Sequence, residues 1–591
     1  MAAWRFPAGA AACVAMMCAA VQAPAAPPAA AQAAQASGAV RQIKIVADKA
    51  PDCSGLKAIV DSVTRGCRTN DEKAVAIYNF MILTHFHRPY PSEKGGIAAL
   101  KEINVYGWSL CGGLHATQSA LWRELGWNWR FVGWRSPGHT TVEAEYDGKW
   151  HYLDVFLKFY AWRPDASAPG GRTIAGEQDL KKDLPGLVNA FVLDKKRGVY
   201  YPRDNQIVMD GKANWQAPAF LRADDPIEGV AGGLKSSNRS GSPEGWAGIQ
   251  HATGDYSTDI DLAPGFSLTH LWEVIEGGWY WPGNKAPPSS TSKDYRNSPV
   301  TGPIMEPYAV PNDRRTTASG RLIFAPDLAK EAYLKSFVAT DNVKCADGGL
   351  APADPGRPAS VTVRLQSPYI LCKASGAAEG ADSVEVSADG GKTFAAADIK
   401  DFSAAVNGRY DVLVRLTFRQ GLKSLRLEAI VQNNKFSLPY LSPGRNTIAV
   451  TVADPKDLGG NRLVVTYAYC LGSRDKSYEE LCLAGKEVGK AHSAAWSSAA
   501  TVVQKAFGAK DLPATFEIAV PTPKGKYPVY PKMVCLRREV VAPGAKPLPL
   551  PEGAVEPKMG PDDDLKTLPN PFRIGLEPPP ASEAVNPAPA N

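Results

Sequence analysis

His139-Thr140-Thr141-Val142-Glu143-Ala144-Glu145-Tyr146-Asp147-Gly148-Lys149-Trp150-His151-Tyr152-Leu153-Asp154 is two strand-like runs joined by Asp-Gly. That dipeptide suits a two-residue hairpin turn, because both of its residues tolerate positive φ. A two-residue turn sets Tyr146 opposite Lys149 and Thr141 opposite Asp154. His139 then shares a face with Asp154, one diagonal step away. Diagonal neighbours on antiparallel strands are about 7–8 Å apart, within reach of long side chains. A three-residue turn would send the two groups to opposite faces. The hairpin therefore places a carboxylate beside an imidazole.

Working outward toward the N-terminus, Trp129–Trp134 reads as a third strand and Cys111–Leu125 as a helix. The helix has Leu114, Thr117, Leu121 and Leu125 on its apolar side, with Gly126 as its C-cap. Cys111 opens it, where unpaired N–H groups and the helix dipole favour a thiolate. Cys111, His139 and Asp154 thus have the order and residue types of a nucleophile, a general base and its orienter. The chemistry of such a set is acyl transfer: attack on an amide or ester, a thioester, then release to water or an amine. The Cys111 N–H is one oxyanion donor, and Asn104, Tyr106 and Trp108 are candidates for a second. These three, together with His87, are the expected substrate-binding residues. His115, one helical turn from Cys111, either faces the same cleft or packs. No further ligands at recognisable spacing accompany His85 and His87, so no metal is expected. No P-loop or dinucleotide fingerprint occurs, and no cofactor is expected.

Val105–Val155 resembles the transglutaminase-like superfamily. Tyr106-Gly107-Trp108-Ser109-Leu110-Cys111 looks like its nucleophile segment, and Leu121-Trp122-Arg123-Glu124-Leu125-Gly126 like the helix end that follows. His139-Thr140-Thr141-Val142-Glu143 and Trp150-His151-Tyr152-Leu153-Asp154 are similar to its His strand and Trp-x-x-x-Asp strand. The resemblance implies a papain-like α+β core with a Cys-His-Asp triad, of the kind found in large secreted bacterial multidomain proteins. Thr140-Thr141 stands where the family has Ala-Trp, and Val155 where it has proline, so the substrate class stays open. The implied activity is amide hydrolysis or transfer on a peptide, isopeptide or glycopeptide. A second reading is a carbohydrate-active, polysaccharide-degrading enzyme that uses the same cleft, with aromatic residues binding the glycan. A third is a catalytically inactive binding or scaffold protein.

The rest of the chain sets the frame. Arg5, the apolar run Ala8–Ala20 and Val21-Gln22-Ala23 have the layout of a secretory signal, which implies a secreted or periplasmic protein with no transmembrane segment in the mature chain. The expected divisions are a signal peptide at 1–23 and a disordered Ala/Pro-rich segment at 24–40. A transglutaminase-like domain follows at 41–318, a β-sandwich region at 319–543 with one helix near 476–507, and a Pro-rich tail at 544–591. The fold class is α+β. The formal charge of +6 spread over 591 residues, without a dense basic run, argues against nucleic acid as a partner. Cysteines outside the leader suggest the pairs Cys53–Cys67, Cys345–Cys372, and Cys470 with Cys482 or Cys535.

Overall fold

Strand β1 (Lys44–Ala47) leads into helix α1 (Leu56–Val63), which buries Leu56, Ile59, Val60 and Val63. Helix α2 (Asn70–Thr84) follows. The Thr69 hydroxyl caps it, accepting the Glu72 N–H at 3.1 Å. The sequence shows a stripe at Val75, Tyr78 and Ile82, but every residue from Ala74 to Thr84 is buried. This helix is surrounded by protein on all sides, which a single apolar face does not foretell. The computed structural model describes residues 36–573, except 88–89, 92, 94–96, 136–137, 157–159, 189–190, 195–198, 203–208, 211–231, 241–248, 251–255, 283–315, 472–498, 524–530, 561–562 and 566–569.

Short strands β2 (Phe86–His87) and β3 (Trp108–Ser109) pair in parallel and deliver the chain to helix α3 (Cys111–Arg123). Strands β4 (Asn128–Arg135), β5 (Gly138–Tyr146), β6 (Lys149–Tyr152) and β7 (Ser237–Ser240) form an antiparallel sheet in the order β7-β4-β5-β6. Asp147 and Gly148 both have positive φ, 51° and 70°, and Tyr146 pairs with Lys149. The two-residue turn forms as its sequence expects. α3 packs against β5. Asp71, in the first turn of α2, accepts the Tyr146 hydroxyl at 2.6 Å and the Ile174 N–H at 3.1 Å, which fixes the hairpin against the helices.

The remainder is strand-rich. The strands are β8 (Phe266–Leu271), β9 (Thr317–Phe324), β10 (Ala359–Glu379), β11 (Ser383–Ser387), β12 (Arg409–Phe418), β13 (Ser424–Asn434), β14 (Gly444–Thr451), β15 (Arg462–Leu471), β16 (Thr501–Phe507), β17 (Ala514–Val520) and β18 (Pro531–Val541). An 11-stranded sheet runs from the edge pair Ala395–Ala396 through β11-β12-β10-β13-β9-β8-β18-β15-β16, with Ala339–Asp341 also paired to β10. A second sheet has the order β1-β14-β17. The architecture is α+β. Among the described residues no helix is long and apolar enough to cross a membrane.

Three expectations change. The boundary at 318/319 falls inside β9, and β1 pairs with β14 through Ile45 and Val450. Residues 35–591 form one unit, because strands on both sides of the expected boundary share sheets. The helix expected near 476–507 ends instead in strand β16, whose Val503 lies opposite Tyr467 of β15; its earlier part, 472–498, is outside the described residues. Described residues of the Pro-rich tail pack on the N-terminal helices. Phe572 is buried, its carbonyl accepts from Asn79 at 3.0 Å, and Arg573 donates to the Gly66 carbonyl. Likewise Val40, placed by sequence in a disordered segment, is buried and bridges to Leu262.

The cysteine pairings also change. Cys53, Cys67, Cys345, Cys372 and Cys535 are thiols. Cys345 lies opposite Leu350 in a small hairpin, while Cys372 is in the middle of β10. A free Cys535 rules out the Cys470–Cys535 bridge, and Cys482 is outside the described residues.

The strand-rich part bears directly on the segment before Cys111. Glu102–Tyr106 is a π-helical turn closed by the Gly107 N–H on the Glu102 carbonyl at 2.7 Å. Side chains of the large sheet and its approach satisfy the turn's carbonyls. Asn434 donates to Ile103 at 2.8 Å and also to Thr84 at 3.0 Å, Gln432 to Val105 at 3.2 Å, and Thr316 to Tyr106 at 2.8 Å. Asn434 and Gln432 are fully buried, so these amides have no alternative partner in water. Gly107 has φ 72°, and a Cβ there would lie 2.5 Å from the Asn434 amide nitrogen. Only glycine lets the sheet approach this closely.

Candidate active site

Cys111 is the first residue of α3, and no side chain caps the helix. The start of a helix presents its first N–H groups to whatever occupies that end. Gly113 is part of the same device. A Cβ at that position would lie 1.9 Å from the Ser109 hydroxyl oxygen and 3.0 Å from the Tyr90 ring. β3 therefore packs directly on the first turn of α3. Gly113→Ala should push the first turn away from β3 and destabilise the protein by about 1–3 kcal/mol. Thermal unfolding, together with the rate at which Cys111 reacts with iodoacetamide, would report both effects.

His139 and Asp154 meet as the hairpin parity requires. His139 Nε2 lies 2.6 Å from Asp154 Oδ2, with both side chains fully buried. Asp154 also accepts the Tyr152 hydroxyl at 3.1 Å and the Phe156 N–H at 3.1 Å. Burial on its own would raise the Asp154 pKa. The His139 imidazole above all, with the donated hydrogen bonds, overcomes burial and holds the carboxyl well below its ordinary range. For His139, burial is the largest influence and acts to lower the pKa. Asp154, and then Cys111, act the other way, and the imidazole is pushed up to about 10. The other ring nitrogen, Nδ1, is buried, and Cys111 acts on the ring through a side-chain hydrogen bond as well as its charge. Asp154 thus occupies one side of the ring, while Cys111 is close enough to act on its charge. The ring is walled by Trp134 at 4.9 Å and Phe156 at 5.3 Å between centroids. Such a site can hold an imidazolium beside a thiolate, and can take up and return a proton at Nδ1.

His115 belongs to the site. It is fully buried, and its Nδ1 lies 2.6 Å from the Cys111 carbonyl, which can only accept. Its Nε2 takes the Val155 N–H at 3.2 Å and lies 3.4 Å from Asp154 Oδ1. These contacts place the ring hydrogen on Nδ1. His115 therefore ties the start of α3 to the residue that follows Asp154. Gln118, one turn further along the same helix face, was not singled out from sequence. It is fully buried, and among the described residues neither its side-chain oxygen nor its nitrogen has a partner. Its spacing of seven from Cys111 is the signal that would have found it.

The expected substrate-binding residues do not all gather here. Asn104 is buried, and its amide nitrogen donates to the Cys53 and Leu100 carbonyls at 3.0 Å each. Both amide hydrogens are thus committed, and the side chain is not available as an oxyanion donor. Tyr106 is buried, and its hydroxyl donates to Glu93 at 2.5 Å, so its proton is also committed. Trp108 is fully buried against Tyr106, Phe86 and Trp281, and among the described residues its indole N–H has no partner. Of the three, it alone keeps a free donor. The backbone of His87 pairs with Ser109; its side chain is outside the described residues.

No family model matches this chain, and neither a curated protein nor a solved structure matches it.

Proposed function

We propose that the chain is a thiol enzyme of transglutaminase-like type that cleaves or transfers an amide bond. Cys111 is the nucleophile. His139 takes the thiol proton and later returns it to the leaving amine, and Asp154 holds the imidazole in place. The acyl group passes to Cys111 as a thioester and then to water or an amine. The observation that carries this reading is the buried His139–Asp154 contact at 2.6 Å, on a ring that also feels Cys111 at the start of α3. The leader-like pattern of Arg5, Ala8–Ala20 and Ala23 supports action outside the cytoplasm, on a peptide, isopeptide or glycopeptide. The test is a substrate screen of peptides and polysaccharides comparing wild type with Cys111→Ala. A substrate turned over by wild type should be turned over at least about 10³-fold more slowly by the variant. Equal rates would remove the thiol mechanism.

A second reading, action on a polysaccharide, is favoured by a different cluster. The Glu93 carboxylate accepts the Tyr106 and Tyr410 hydroxyls at 2.5 Å each and pairs with Lys101 at 2.9 Å. In the same screen it predicts polysaccharide cleavage that survives Cys111→Ala and is lost in Glu93→Gln.

A further inference from the structure

A cavity of about 310 Å³ lies among the segments around β1, the π-helical turn and the large sheet, and none of Cys111, His139 and Asp154 lines it. Arg538 of β18 reaches into it. Leu268 and Val465 flank Arg538 on the neighbouring strands, so its side chain rises from an apolar face of the sheet. It is 3% exposed. Its Nε and Nη1 are buried without a hydrogen-bond partner, and among the described residues no carboxylate pairs with it. A buried guanidinium normally has a partner anion, since an unpaired one costs several kcal/mol. Nor do its neighbours supply the charge. The Tyr369 phenol is pushed up to about 12 by burial, and burial followed by the Arg538 charge holds His270 well below its ordinary value.

The other ionisable groups of the lining complete a pattern. Lys44 and Asp52 answer each other at 2.8 Å. Asp259 is exposed at the rim, accepts a hydrogen bond from Gln42 at 3.3 Å and has no cationic partner among the described residues. The cavity thus presents one unmatched cation on its floor and one unmatched anion at its mouth. It is of the size of a small-ligand pocket, and Ser437 and Thr258 add hydroxyls to its wall. We propose that this cavity binds an amino acid or short peptide as a zwitterion, its carboxylate on the Arg538 guanidinium and its ammonium toward Asp259. A guanidinium matches a carboxylate through two parallel hydrogen bonds. The acidic rim disfavours a multiply charged anion. The proposal is independent of the thiol chemistry.

Calorimetric titration of the full chain at neutral pH tests it, with L-alanine and L-alanyl-L-alanine as probes and acetate, ethylammonium and inorganic phosphate for comparison. At least one probe should bind saturably, at one site, tenfold or more tighter than acetate or ethylammonium. Arg538→Met should abolish that binding, and Asp259→Asn should weaken it several-fold. Without ligand, Arg538→Met should unfold at the same temperature as wild type or higher, since it removes an unpaired buried charge. Absence of saturable binding to the wild type overturns the proposal. So does equal binding by Arg538→Met, or phosphate binding tighter than either probe. If Arg538→Met does not fold, Arg538→Lys takes its place, because it keeps the charge but loses the planar fork. It should bind at least tenfold more weakly, and equal affinity would overturn the assignment.

Discussion

Asp154→Ala should lower the free energy of unfolding by about 3–5 kcal/mol, the usual cost of removing one member of a buried ion pair. The size follows from what Asp154 accepts: His139, the Tyr152 hydroxyl and the Phe156 N–H all lose a buried acceptor at once. The loss depends on pH, and the sign can be worked out for each partner. His139 is raised from its ordinary 6.5 to about 10. Its contribution is full below about pH 6.5 and is lost as pH rises through about 10. Asp154 is lowered from its ordinary 3.8. Its contribution is full above that value and is lost as pH falls through the folded-state value. The gap in melting temperature between wild type and Asp154→Ala should therefore be widest between about pH 4 and pH 7 and narrow on both sides. Asp154→Asn keeps the shape and loses the charge. In that variant the His139 ring resonance, followed by NMR, should titrate near or below 6.5 instead of near 10. A His139 titration unchanged in Asp154→Asn would contradict the electrostatic account.

Cys111 should be the fastest-reacting thiol among the described cysteines, and His139→Ala should slow it by about a hundredfold at pH 6.5. The factor comes from the thiolate fraction. A cysteine of ordinary pKa near 8.5 is only about 1% ionised at that pH, while one paired with an imidazolium at a helix start is largely ionised. Cys67 and Cys345 serve as internal controls, because burial raises both thiols above their ordinary value. Brief iodoacetamide treatment, followed by mass spectrometry of each cysteine, gives the rates directly. Labelling of Cys111 no faster than Cys67 would count against an activated thiol, as would equal Cys111 rates in wild type and His139→Ala.

Much of the site's geometry is local, and for that reason readable in sequence. Asp147-Gly148 admits a turn with two positive φ values, and a turn of that length sets the side-chain parity of everything beyond it. His139 and Asp154 consequently met on one face without help from the rest of the fold. The start of α3 at Cys111 was legible for the same reason. The fates of the surrounding polar groups were not. Asn104 and Tyr106 stand close to Cys111 in sequence, yet the π-helical turn commits one to the Cys53 carbonyl and the other to Glu93. No local rule announces such a turn, because its carbonyls are satisfied by Gln432 and Asn434, more than three hundred positions away. The supposed domain boundary failed on the same physics. Strand pairing is a contact between distant segments, and β9 straddles the expected division. Sequence by itself determined the hairpin, its face and the helix that carries Cys111, since these depend on turn chemistry and periodicity. Tertiary structure alone decided that the strand-rich half holds that helix's approach in place and that Arg538 is buried with no counter-charge among the described residues. Both depend on which distant groups burial brings together.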